Sequence, residues 1–397
     1  MFFFFILSIR PAEISKEIYP EINTLHSVTS KNVNFQSTDT NHMIQSDMNI
    51  SNEFDAAVGN IINIIVSYDM GWSTRGNGRS YDSLNGYGAV IGFLSGKIID
   101  FATRNRKCAF CDYGNNKENH DCRKNFEGSA KAMEPSVGVE LMTQSTVLKE
   151  IGLNARVLIG DEDSSTIAAV RRESLQSIFK LCDSNHLKKN FFSNLYQLKK
   201  QFKEMAKKDT IPYLKKCFSY AVAQNRGKSS ELANILRSIP EHVFVRHENC
   251  GNWCGNYRNT RNNKPQEVLL TDPKLYNKLR EIFFKYAANA SKFSIAASSQ
   301  ANESLNNIMA HKAPKNKCYS RSASSDYRFA SAVCNKNEGD SHIMNIKEKL
   351  CLSPGRYTKS FVAKKDEIRA KRAVIARLPV TKKQRNVLRR NKEALRK

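Results

Sequence analysis

Polarity along the chain changes abruptly at Ile61. From there Ile61-Ile62-Asn63-Ile64-Ile65-Val66-Ser67-Tyr68-Asp69 forms a β-branched run that closes on an acid, the pattern of a buried central strand. Tyr87 to Leu94 and Lys97 to Phe101 are two further apolar runs joined through Ser95-Gly96, and a short Gly-containing link between such runs predicts a hairpin. Apolar residues then recur at helical spacing from Val137 to Leu153. Ala155 to Asp161 is a second strand that ends on an acid, Thr166 to Glu173 predicts the helix behind it, and Ser177 to Leu181 suits a fifth strand. Three strands, a helix, a strand, a helix and a strand together predict an α/β domain on a mixed sheet.

From His186 to Phe293 the texture is helical. Leu187 to Met205, Tyr213 to Asn225, Leu232 to Ile239 and Leu275 to Tyr286 each space apolar residues three and four apart. A Cys/Trp-rich loop, His247 to Tyr257, interrupts them. Two stretches fall outside any core pattern. Cys108 to Cys122 is too polar, and residues 9–52 are rich in Ser, Thr, Asn and Asp, as a linker or disordered arm is. The end, from Ala363 to Lys397, alternates basic clusters with few apolar residues and predicts a mobile or marginally helical tail. The opening Met1 to Leu7 is apolar but lacks a basic flank and a small-residue cleavage site, and it is too short to span a bilayer. No other segment approaches that length, so a soluble protein with no membrane partner is expected.

Composition sharpens this picture in two ways. A hydrophobic share of 40% over 397 residues can support a real core and argues against global disorder. Lys and Arg number 63 against 38 Asp and Glu, a net charge of +25, and a globular protein this basic usually meets a polyanion, most often nucleic acid. A ribosome-associated protein or a merely solubilising charge excess are the alternatives. The 10 cysteines fall partly in short pairs beside His, which suits metal ligation in a reducing compartment better than a secreted disulfide framework.

Asp69 and Asp161 each close a predicted strand. Strand ends on one central sheet can bring carboxylates together at any sequence separation. Two or three acids around one cleft suit a pair of Mg²⁺ ions, which are hard and prefer oxygen, for in-line phosphoryl displacement. An Asp after a strand is also a common turn residue, and spacing alone leaves both readings open. Among the described motifs there is no P-loop and no Ser/His/Asp or Cys/His nucleophile arrangement.

Cys108-Ala109-Phe110-Cys111 followed by His120-Asp121-Cys122 offers four ligands for a closed tetrahedral Zn²⁺ site, which would stabilise a small polar insertion without a core of its own. Free thiols are the alternative. His247, Cys250 and Cys254 form a weaker candidate with three ligands, the fourth to come from Cys318 or Cys334. Cys182, Cys217 and Cys351 read as ordinary thiols. The tail carries Lys364, Lys365, Arg369, Lys371, Arg372, Lys382, Lys383, Arg385, Arg389, Arg390 and Lys392. Such clusters neutralise phosphates without sequence preference and also fit a nuclear localisation signal, whereas the alternative is a solvated end.

Several blocks, in order, carry a resemblance. Tyr68-Asp69-Met70-Gly71-Trp72, with Arg75-Gly76 and Ser83 to Gly86, resembles the first catalytic block of Mutator-like transposases. Phe126 to Glu134 is also similar to the family. Ile159-Gly160-Asp161-Glu162-Asp163-Ser164, continued by Ala168-Ala169-Val170, resembles the second block, and Asp183-Ser184-Asn185-His186 fits the signature that follows it. Ser299-Gln300-Ala301-Asn302-Glu303-Ser304-Leu305-Asn306 resembles the block that carries the catalytic Glu.

The resemblance implies a ribonuclease-H-like α/β fold, with a helical insertion before the catalytic Glu and a small Cys/His zinc-binding insertion. It implies a metal-binding triad of Asp69, Asp161 and Glu303, with Asp163 competing for the second place and Asp183 and His186 as further candidates. His186 reads equally as a phosphate contact or as a buried structural His. The implied domains are a polar arm over 1–54, a catalytic domain over 55–345 with insertions at 107–125 and 187–293, and a basic tail over 346–397. The implied activity is a nuclear DNA transposase that uses Mg²⁺ or Mn²⁺, with structural Zn²⁺, on the double-stranded DNA of transposon ends and target, and works as a dimer. The alternatives are a catalytically inactive, transposase-derived DNA-binding protein and, last, a nuclease acting on RNA–DNA hybrids.

Overall fold

A computed structural model describes residues 61–74, 82–161, 164–254 and 270–394. Its centre is a five-stranded mixed sheet of β1 (Ile62–Trp72), β2 (Asn85–Gly92), β3 (Ile98–Asn105), β4 (Leu153–Gly160) and β5 (Phe179–Cys182), in the order β3-β2-β1-β4-β5. Strands β1 and β3 each run antiparallel to β2 between them, and β4 and β5 add in parallel on the other side of β1. The predicted hairpin is present. It turns at Gly96, whose φ of +65° suits glycine, and closes with a 2.9 Å bond from the Gly92 N–H to the Lys97 carbonyl.

Helices follow in chain order. They are α1 (Ala130–Val139), α2 (Thr146–Glu150), α3 (Ser164–Glu173), α4 (Ser184–Lys199), α5 (Thr210–Gln224), α6 (Ser229–Val243) and α7 (Pro273–Ala288), then α8 (Gln300–Lys312), α9 (Ser324–Glu338), α10 (His342–Lys349), α11 (Arg356–Arg377) and α12 (Pro379–Ala394). Alternation along the central strands sorts the layers. Ile64, Val66, Tyr68 and Met70 of β1 point to one face, where they pack with Met133 and Val137 of α1 and Val170 of α3. Tyr87, Ala89 and Ile91 of β2 point to the other, against Leu305 and Met309 of α8 and Phe329 of α9. The sheet is therefore covered on both sides, which is why its strands read as apolar runs.

Helices α4 to α7 bury a core of their own. Phe191 of α4 stacks on Phe218 of α5 at 4.0 Å between ring centroids and meets Phe283 of α7 edge-on at 5.1 Å. Leu195, Leu214, Leu232, Leu236 and Leu279 complete this cluster.

Four local expectations are corrected. Strand β1 runs three residues past Asp69, because pairing with β2 continues to Trp72↔Gly86 after pairing with β4 has stopped at Ser67↔Ile159. Asp69 therefore lies inside a strand and not at its end. The single helix expected over Val137–Leu153 is broken by a π-turn at Glu140–Gln144 and restarted at Ser145, whose hydroxyl accepts from the Leu148 N–H and donates to Asp100 Oδ2 at 2.6 Å. The third strand runs on to Asn105.

The basic end forms α11 and α12, and is not marginally helical. Its Lys, Arg, Ala and Glu are good helix formers, and Asp366 anchors α11 by accepting from the Asp340 and Ser341 N–H groups at 2.8 and 3.0 Å. Among the described residues no helix is long and apolar enough to cross a membrane.

Candidate active site and cysteine–histidine clusters

Ser67 of β1 pairs with Ile159 of β4 in the parallel ladder. Asp69 lies two residues further along β1 and Asp161 just past the end of β4, so both acids leave neighbouring strands at the same end of their ladder. Side-chain alternation puts Ser67, Asp69 and Gly71 on the face beneath α8. That helix is fixed there by two amides one turn apart. Buried Asn302 accepts from Ser67 Oγ at 2.6 Å and donates to the Ala89 carbonyl at 3.1 Å. Asn306 donates to Asp69 Oδ2 at 2.9 Å. Gly71 permits this approach, since a Cβ there would lie 2.7 Å from Asn306 Oδ1 and 2.1 Å from the Tyr87 ring.

Glu303 sits exposed in the first turn of α8, three residues before Asn306 and so on the same side of the helix. Its charge is felt at Asp161. Burial pushes the Asp161 carboxyl up, the charges of Asp183 and Glu303 push the same way, and His186 and Lys180 oppose them. Asp69 is raised to about 6, first by burial and then by the charge of Asp161, against the Met70 N–H, His186 and Asn306. The site thus gathers negative charge in a half-buried cleft and stops short of neutralising it. His186 Nδ1 lies 2.8 Å from Asp161 Oδ1. The competing Asp163 lies outside the described residues.

Asp183 takes a different part. It is 1% exposed, and its two oxygens are occupied by the chain. Oδ1 accepts from the Asn185 and His186 N–H groups at 2.7 and 2.9 Å, capping α4. Oδ2 accepts from the Ser299 N–H at 2.5 Å and its hydroxyl at 3.0 Å, just before α8 begins. Burial alone would raise this carboxyl, but the bonds from Ser299, His186 and Asn185 hold it below the usual range. Asp183 therefore positions His186 and α8. Trp72 is partly buried and packs against the sheet core.

The first Cys/His set is assembled as its spacing suggests. Ligand atoms of Cys108, Cys111, His120 and Cys122 all lie within 4.8 Å of one another. Cys108 Sγ and Cys111 Sγ stand 3.2 and 3.5 Å from His120 Nε2, and Cys111 Sγ stands 3.5 Å from Cys122 Sγ. A tetrahedral zinc with its usual bond lengths needs edges of about 3.5–3.8 Å, so the donors fit. The loop leans on the segment between α8 and α9. The Ala109 N–H donates to the Arg321 carbonyl, Arg321 pairs with Asp112 at 2.9 Å, and Tyr327 Oη donates to Asp121 at 2.9 Å.

A second set forms, though not with the expected partner. Cys318 is exposed, and Cys334 is buried on α9. Instead His242, in the last turn of α6, joins His247, Cys250 and Cys254 within 4.8 Å. The helical pattern absorbs His242 as an ordinary position on a packed face. The His-x4-His-x2-Cys-x3-Cys spacing was the available signal.

In the tail Lys364, Lys365, Arg369, Lys371, Arg372, Lys382, Lys383 and Arg389 are exposed along α11 and α12, and the Arg390 side chain lies outside the described residues. Arg369 also donates to the Asn335 carbonyl at 2.8 Å, so it helps dock α11.

Compared with known proteins, the family model for Mutator-like transposases matches residues 12–254. That span contains Asp69, Asp161, Asp183, His186 and both Cys/His sets, and ends before Glu303. No curated protein and no solved structure matches the chain.

Proposed function

Because this chain belongs to the Mutator-like transposase family, we propose that it is a DNA transposase that cuts and joins strands by two-metal-ion phosphoryl transfer. In this reading the sheet with its flanking helices is a ribonuclease-H-like core, and Asp69, Asp161 and Glu303 hold Mg²⁺ or Mn²⁺. The observation that carries it is the convergence of Asp69 and Asp161 just past the last β1–β4 pair, Ser67↔Ile159, close enough for the charge of Asp161 to raise Asp69, with α8 pinned by Asn302 to Ser67 and by Asn306 to Asp69.

The donor set suits the ions. Three carboxylates supply hard oxygen ligands, and Asp69 is raised to about 6 by its burial and by the charge of Asp161. Bound divalent ions supply a sharpened nucleophile and stabilise the leaving oxygen. The chain's own groups do the positioning. Asn306 fixes one oxygen of Asp69, His186 orients Asp161, and Asp183 ties the bases of α4 and α8, the helices that carry His186 and Glu303. With little covalent chemistry asked of side chains, such positioning and charge matching dominate the rate.

The remaining parts fit double-stranded DNA as substrate, at transposon ends and target. The exposed Lys and Arg of α11 and α12 supply phosphate contacts, and their clusters serve equally as a nuclear address. Cys108, Cys111, His120 and Cys122 hold a structural zinc that stiffens the loop against the α8–α9 segment. The catalytic domain spans 55–345, with insertions at 107–125 and 187–293, between a polar arm (1–54) and the basic tail (346–397). It acts as a synaptic dimer.

The test is Mn²⁺-dependent joining of a 3′-hydroxyl oligonucleotide to plasmid DNA. Joining by the wild-type chain that disappears in Asp69→Ala, Asp161→Ala and Glu303→Ala is the expected result. Salt-sensitive DNA binding without cleavage or joining in any of them would sink the catalytic reading in favour of a transposase-derived DNA-binding protein.

A further inference from the structure

We propose that the helical insertion carries its own zinc ion, held by His242, His247, Cys250 and Cys254 and independent of the Cys108 site. This inference does not rest on the proposed reaction.

The geometry is that of a coordination shell with its edges already set. Cys250 Sγ lies 3.5 Å from His242 Nδ1 and 3.7 Å from His247 Nδ1. Cys254 Sγ lies 3.5 and 3.6 Å from the same two nitrogens. Zinc at about 2.3 Å from sulfur and 2.0–2.1 Å from nitrogen implies tetrahedral N···S edges of about 3.5 Å. Two thiolates and two imidazoles are also a ligand set that favours zinc over harder divalent ions.

Three further features separate this cluster from a chance polar pocket. Both cysteines are 2% exposed and His242 is 6% exposed, with His247 partly buried beside them, and burying such groups face to face is costly without something to satisfy them. The remaining ring nitrogen of His242, Nε2, lies 2.7 Å from Tyr213 Oη on α5. A partner on the far nitrogen fixes the tautomer and ring orientation of a metal-ligating His. Finally, the loop that brings the ligands round is held in rare backbone conformations. Val245, between the two histidines, has φ +63°, and Gly251, between the two cysteines, has φ +70°. A β-branched residue in that region is unusual unless its surroundings impose it.

The ion would clip the end of α6 to the turn at Gly251–Trp253 and, through Tyr213, to α5. At this corner the chain leaves a long amphipathic helix and turns through a run of polar residues. Zinc there does for the corner what the phenylalanine cluster does for the middle.

Metal content tests the proposal on the full chain. Purified protein is expected to carry two equivalents of zinc, one lost in Cys108→Ser and the other in Cys250→Ser. Tyr213→Phe is expected to weaken the second equivalent roughly 10- to 100-fold.

A second measurement uses Trp253, whose ring centroid lies 4.7 Å from that of His242. The chain has 2 Trp residues, so Trp72→Phe leaves Trp253 alone. Titrating Co²⁺ into this metal-stripped variant should quench its emission, and adding Cys250→Ser should abolish the quenching. His242→Cys guards against variants that fail to fold. It should keep both equivalents and strengthen the thiolate-to-cobalt absorption. A folded chain whose zinc content is unchanged by Cys250→Ser, quenching that survives Cys250→Ser, or a His242→Cys cobalt spectrum identical to wild type would each overturn the proposal.

Discussion

The Asn306 amide donates to Asp69 Oδ2 at 2.9 Å, although the two residues are 237 positions apart. That bond joins the helix bearing Glu303 to the strand bearing the first acid, while the other oxygen of Asp69 accepts from the Met70 N–H at 2.9 Å. The carboxylate is thus aimed by the chain before any ligand arrives. Asn306→Ala is expected to leave protein folded while lowering Mn²⁺ affinity or strand joining by 10- to 100-fold. Isothermal titration with Mn²⁺ alongside the joining assay checks it, and unchanged affinity with unchanged joining would remove Asn306 from the site.

Asp69 gives the site a pH signature. Its carboxyl is raised to about 6 in the folded chain by burial and by Asp161, above the ordinary value near 4. The folded state therefore holds a proton that the unfolded state has released between those values. Stability from this group is full below about pH 4 and is lost as pH rises through about 6. Asp69→Asn should stabilise the metal-free chain by about 1–3 kcal/mol at pH 7 and by little at pH 4. Denaturant unfolding at the two pH values measures it. Mn²⁺ binding, which needs the ionised carboxylate, should strengthen over the same rise in pH.

Asp183 has the opposite sign. Its carboxyl is held below the usual range by the N–H groups of Ser299, His186 and Asn185, which outweigh its burial. Its contribution is present above the unfolded pKa and is lost as pH falls through the lower folded value. Asp183→Ala strands those donors and is expected to cost about 2–4 kcal/mol at neutral pH. The penalty should shrink in acid, and a variant as stable as wild type at pH 7 would refute the tie.

Gly71 is the point of closest approach between α8 and the sheet. A Cβ there would meet the Tyr87 ring at 2.1 Å and Asn306 Oδ1 at 2.7 Å. Gly71→Ala should therefore shift α8, cost about 1–3 kcal/mol and reduce joining more than it reduces DNA binding. Melting temperature and filter binding, measured together, separate the two effects.

The acids were legible in the sequence because the signals around them are local. The run Ile61 to Asp69 and the run Ala155 to Asp161 announce strands by β-branching, and the parallel pairing of those strands leaves the acids close enough for Asp161 to raise Asp69. The extension of β1 to Trp72 was hidden, since the acid at Asp69 and the glycine at Gly71 look like a strand end and only pairing with Gly88, Tyr87 and Gly86 of β2 carries the strand on. His242 was hidden for another reason. It occupies a buried position in an amphipathic helix, and only tertiary packing turns its ring toward His247, Cys250 and Cys254. Cys334, expected as a possible fourth ligand, is instead buried in the packing of α9. The roles of Asn302 and Asn306 were likewise invisible, because an amide on a helix gains meaning only from what it faces.

The bond from Ser299 to Asp183 spans 116 positions of sequence at 2.5 Å. The chain therefore departs into α4 and returns to α8 at nearly the same point in space, after building a separately packed body on the way. A short linker from the first turn of α4 to Ser298 should leave β1, β4 and α8 in register, so the excursion can be exchanged as a cassette while the acids stay put.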